Sequence, residues 1–97
     1  MLTGKDIEKK LRLMKPKLRE GFFVERLGFF GSFATGDQTK DSDVDILVEF
    51  SQPLGWEFFD LKASLEKEFQ RKVDLVSVKA LKDQLREIIL KQTIFVF

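Results

Sequence analysis

The chain has 97 residues, of which 43% are hydrophobic and 11 are Phe, and its formal net charge is +1. That describes one globular domain spanning residues 1–97, with a modest core and no overall field strong enough to name a partner. The absence of Cys and His excludes disulfides, thiol nucleophiles, imidazole bases and ordinary zinc sites, so any acid–base chemistry falls to carboxylates, Lys or a metal-bound water.

Thr3-x-x-Asp6 reads as a capping box opening a helix. Ile7, Leu11, Met14 and Leu18 then recur at 4-3-4 spacing, one face of that helix. Pro16 is expected to kink it or restart it as a second short helix, and Gly21 to cap its end. The segment should cover one face of a sheet. Lys5, Lys9, Lys10, Arg12, Lys15, Lys17 and Arg19 crowd this region. A solvated helix face explains them better than a patch for RNA or an acidic partner, and direct nucleic-acid binding is not expected. Charges at Lys5, Asp6, Glu8, Lys9 and Lys10 break any signal-peptide pattern, and no apolar run approaches the ~20 residues that cross a bilayer. The expected location is cytoplasmic, with no membrane partner.

Val24 to Phe30 reads as a strand whose Gly28 marks a bulge or a close backbone approach. Gly31-Ser32-Phe33-Ala34-Thr35-Gly36 follows as a tight glycine turn, leading through a polar link to Asp41. Val44 to Phe50 is a second strand, apolar enough for a central position. Asp43 and Asp45 sit at its entry, two apart, so on extended chain they share a face. Adjacent carboxylates repel, and hard oxygen ligands suit Mg²⁺ as the compensating charge. Beside a glycine turn with backbone N–H groups to offer, such a metal points to a nucleoside triphosphate. A calcium loop from Asp37 fails, because its sixth and twelfth positions are Ser42 and Val48 rather than Gly and Glu.

Ser51 to Gly55 is a loop, and Trp56 to Gln70 a helix with Phe58, Leu61, Leu65 and Phe69 towards the core. Trp56 and Phe59 are left open between core and a stacking or partner role. Val73 to Val78 is a third strand containing Asp74. An acid in such a run needs a partner; paired beside the strand of Asp43 and Asp45, it would join them. Lys79 to about Gln92 is a last helix with Leu81, Leu85, Ile88 and Ile89 on one side. Ile94-Phe95-Val96-Phe97 either packs internally, as a fourth strand, or meets a partner or a second copy. The expected architecture is α/β (α+β), a small mixed sheet packed with helices.

Gly-Ser-x-Ala-x-Gly, then Ser-Asp-x-Asp-Ile-x-Val, then Val-Asp-Leu-Val together resemble the minimal nucleotidyltransferases of the DNA polymerase β superfamily. The resemblance runs from about Leu18 to the C-terminus. It implies the nucleotidyltransferase fold, with Gly31 and Ser32 binding triphosphate and Asp43, Asp45 and Asp74 as catalytic metal ligands. It further implies two Mg²⁺ ions, ATP as substrate, and AMP transfer to a protein hydroxyl. The implied partner is a HEPN-type toxin that the modification silences. In the family an Arg usually precedes the second glycine, where this chain has Thr35. The alternative is therefore an inactive antitoxin that neutralises its partner by contact. Nucleotidyl transfer to RNA or an antibiotic ranks last, since no extra domain for either acceptor is visible.

Overall fold

The computed structural model describes residues 1–97. In chain order it contains helix α1 (Gly4–Phe22), strand β1 (Val24–Phe30), the one-turn helix α2 (Ser32–Thr35) and strand β2 (Val44–Phe50). Helix α3 (Glu57–Phe69), strand β3 (Val73–Ser77), helix α4 (Asp83–Gln92) and strand β4 (Ile94–Phe95) follow. The strands form one mixed sheet ordered β3-β2-β1-β4. β1 pairs antiparallel with β2 and β4, and β2 pairs parallel with β3 across the α3 crossover.

Thr3 caps α1 reciprocally with Asp6, as its spacing predicts. Ile7, Leu11 and Leu18 are buried along one face of the helix. Pro16 neither ends nor restarts it. The helix runs 19 residues through the proline, which is exposed together with Arg12 one turn earlier. The Arg12 carbonyl that loses its N–H partner there can turn to water. Gly21 is likewise not the cap. Phe23 takes the left-handed conformation (φ 55°) and its N–H bonds to the Leu18 carbonyl. The tertiary reason is that the Phe23 carbonyl accepts the Ser51 N–H (2.9 Å) and sits 3.3 Å from the Ser51 hydroxyl, fixing the start of β1 against the end of β2.

Val44, Ile46 and Val48 of β2 enter a single core with α1, β1, Leu61, Leu65 and Phe69 of α3, and Val73 and Leu75 of β3. By strand alternation Asp43, Asp45 and Leu47 face the other way. The basic residues of α1 partly serve the fold. Lys10 donates to the Glu68 carbonyl at 2.8 Å and Arg19 to the Glu25 carbonyl at 3.3 Å, while Lys15 and Arg19 lie over the Phe97 ring.

The tail packs internally. β4 pairs with β1 at Gly28 and Phe29, and Leu27 exchanges backbone hydrogen bonds with Val96 and Phe97. This is the close approach that Gly28 marks, since a Cβ there would lie 2.7 Å from the Ile94 carbonyl oxygen. The last helix differs from expectation. Val78–Ala80 is a 3₁₀ turn, Leu81 and Lys82 are extended, and α4 starts only at Asp83. Leu81 therefore leaves the apolar stripe, and Leu85 and Ile88 face outward. Trp56 and Phe59 are also surface residues, their rings 5.8 Å apart. No helix is long and apolar enough to cross a membrane.

Candidate active site

The glycine turn is built at the end of β1. Gly31 adopts φ 71°, ψ −148°, a region open essentially to glycine alone. A Cβ at Gly31 would collide with the Asp45 carboxylate, so the residue type is set by backbone angle and by close approach together. The chain then makes one helical turn, with the Ala34 and Thr35 N–H groups bonding to the Gly31 carbonyl. Gly36 ends it at φ 86°, its N–H bonding to the Ser32 carbonyl at 2.9 Å. Ser32 opens this turn.

Asp45 lies opposite Phe30 on one side and Asp74 on the other. The parallel register pairs Asp45 directly with Asp74, so both project from the same face of the sheet. Asp43 precedes β2 by one residue and shares the parity of Asp45. Asp43 and Asp74 are exposed and Asp45 is half-buried behind Gly31. Partial burial, then the charges of Asp74 and Asp43, push the Asp45 carboxyl above its ordinary value. The register thus sets Asp45 beside Asp74, with Asp43 two residues before Asp45 on the same side.

No basic residue compensates them. The ion pairs of the chain are Arg12–Glu8, Arg86–Asp83 and Lys91–Glu87. A structural role for Asp74 as the partner of a Lys or Arg is therefore not what this fold uses. Nor do the acids close into a ready three-carboxylate cage. Mg²⁺ does not require such a cage, because it keeps several waters and takes one or two carboxylates together with substrate phosphates. The donor set is all hard oxygen and carries uncompensated negative charge, so these residues fit that ion.

Two neighbours escaped the sequence reading. The Gly31 N–H donates to Oε1 of Gln92 at 3.1 Å, from the last residue of α4. Arg71 donates from Nη1 to the Ser42 carbonyl at 2.9 Å, just before Asp43. Neither residue has a local signal, because each meets the site only across the sheet. Lys40 is exposed in the polar link, away from any ion pair.

The site is open. One cleft, at the far end of β2, is lined by Glu49, Phe50, Leu54, Phe58 and Lys79, and another runs between the glycine turn at Phe33, Ala34, Thr35 and Gly36 and the start of α1. No cleft includes Asp43, Asp45 or Asp74.

A model of the nucleotidyltransferase domain matches residues 7–96. Protein adenylyltransferase MntA of Thermococcus cleftensis is 40% identical over 97 residues, spanning 99% of this chain and 98% of that protein. A solved structure described as a candidate minimal nucleotidyltransferase superposes with a TM-score of 0.80 at 31% identity, covering 96% of this chain and 95% of the other. A toxin–antitoxin crystallised with AMP-PNP superposes with a TM-score of 0.77 at 25% identity, covering 93% of this chain and 72% of the other.

Proposed function

This chain belongs to the nucleotidyltransferase domain family, and we propose that it transfers AMP from ATP to a hydroxyl of a partner protein, as the antitoxin of a HEPN-type toxin. The observation that carries the reading is the uncompensated trio of Asp43, Asp45 and Asp74 on one open face, with Gly31 pressed against Asp45. The adenylyltransferase relative and the AMP-PNP-bound toxin–antitoxin support the nucleotide and the class of acceptor.

In this reading the acceptor oxygen forms a bond to the α-phosphorus of ATP. The bond from that phosphorus to the bridging oxygen breaks, and pyrophosphate leaves. Asp43, Asp45 and Asp74 would hold Mg²⁺, which neutralises phosphate charge and lowers the pKa of the acceptor hydroxyl. Asp74, exposed on the strand next to Asp45, would take the hydroxyl proton. Ser32 and the Gly31 N–H bind the β- and γ-phosphates. For the Gly31 N–H to do so, Gln92 must release it.

That occupied N–H, with Thr35 in place of the usual Arg, also supports the second reading, an antitoxin acting by contact alone. The two separate in one assay. Protein, α-labelled ATP, Mg²⁺ and extract of the source cells are incubated, alongside the Asp43→Asn/Asp45→Asn variant. A macromolecule labelled only by the wild type establishes transfer. No label with any nucleotide, and partner protection retained by Asp45→Asn, leaves the contact antitoxin.

A further inference from the structure

The geometry points to Arg71 as a positioning residue that clamps the glycine turn to the strand entry carrying Asp43. What the clamp serves rests on the nucleotidyl-transfer reading above. Arg71 lies between α3 and β3, and its guanidinium reaches both halves of the site. Its Nη1 donates to the carbonyl of Ser42, the residue before Asp43. Its guanidinium carbon lies 5.4 Å from the centroid of the Phe33 ring. Phe33 is itself 3% exposed and sits inside α2, the turn that begins at Ser32. One planar group therefore joins the proposed phosphate-binding turn to the carboxylates. It does so from the segment that leads directly into β3 and Asp74.

The seat is firm. The Val44 N–H bonds to the Lys72 carbonyl at 3.0 Å, and the Val73 N–H to Glu66 Oε2 at 3.0 Å, so the backbone on either side of the contact is pinned. Arg71 enters no ion pair, and its Nε is buried without a hydrogen-bond partner. A side chain kept there despite an unmet donor is held by its two contacts, the guanidinium over the Phe33 ring and the N–H on the Ser42 carbonyl. Lys gathers its charge and donors on one nitrogen, without the planar fork that spans Phe33 and Ser42 here, so it cannot hold both contacts at once. Without the clamp each element still folds, but the turn and the acids drift relative to each other. A ligand that must touch both then loses affinity.

The test uses Arg71→Lys and Arg71→Met in the full chain, with two readouts. The first is hydrogen exchange without nucleotide. Residues 31–36 and 41–44 should both exchange faster in each variant, by about tenfold, the weight of one charge-assisted hydrogen bond, while the amides of α1 and β1 stay protected. The second is binding of AMP-PNP with Mn²⁺, the spectroscopic substitute for Mg²⁺. Both variants should bind about tenfold or more weakly than the wild type, and within about threefold of each other. Full binding by Arg71→Lys would show that only charge matters and overturn the clamp. Faster exchange confined to the neighbourhood of residue 71 would overturn it too. Wild-type protein that binds no nucleotide removes the transfer reading alone, since the exchange experiment still decides the clamp. If Arg71→Met does not fold, Arg71→Lys carries both readouts.

Discussion

Replacing Asp45 by Asn should make the metal-free protein more stable while removing its activity. The register sets Asp45 beside Asp74 on neighbouring strands, and adjacent strands are ~4.8 Å apart. Two unit charges at roughly 5 Å repel by ~3 kcal/mol at an effective dielectric of ~20 and by under ~1 kcal/mol in bulk water. Asp74 is exposed and Asp45 only half-buried, so solvent screening places the relief at about 1 kcal/mol. In a domain of this size that raises Tm by roughly 4–8 °C. The assay is thermal and urea unfolding in EDTA, repeated across pH. Because the folded-state value of Asp45 is raised, the folded wild type binds the proton more tightly than the unfolded chain. Its penalty is fully present above the raised value and fades as pH falls through it towards 3.8. The advantage of Asp45→Asn should therefore be largest near pH 7 and shrink on acidification. Mg²⁺ with ATP should raise the Tm of the wild type and leave the variant unmoved. A variant less stable than wild type at pH 7 in EDTA, or an advantage that grows as pH falls, would refute the electrostatic account of the trio.

Gly31→Ala should lose about 1–3 kcal/mol of stability and most nucleotide binding, because its φ is 71° and its new methyl would strike Asp45; unfolding curves and ATP titration check both. Gly28→Val should expel the β4 tail, whose Ile94 oxygen would lie 2.7 Å from the new Cβ, and limited proteolysis should then cleave after residue 90 while wild type resists. Gln92→Leu frees the Gly31 N–H and should tighten ATP binding by up to about tenfold, the value of one competing hydrogen bond; weaker binding would mean that Gln92 assists the nucleotide instead. Asp6→Asn acts with the opposite pH sign to Asp45. The hydrogen bonds from Thr3 lower the Asp6 carboxyl below 3.8, so its contribution is present above 3.8 and disappears as pH falls through the lowered folded value.

Much of this protein is local and was legible in its residues. The Thr3–Asp6 capping box needs only four consecutive positions. β1 and β2 keep the bounds that their apolar runs predict, Val24–Phe30 and Val44–Phe50. Gly28 and Gly31 announce close approaches because no other residue type tolerates them. Asp43, Asp45 and the glycine turn could be grouped from spacing, since alternation on a strand is a property of the backbone itself. Tertiary structure decided what depends on partners far away in sequence. Phe23 rather than Gly21 ends α1 because Ser51 holds its carbonyl. Pro16 is tolerated because its face of the helix meets water. Leu85 and Ile88 are exposed despite a helical apolar stripe, since periodicity names a face and not what covers it. The pairing of Asp74 with Asp45 is a matter of strand order and register. Gln92 and Arg71 reach the site only because the chain returns across the sheet, a long-range contact for which no local pattern codes.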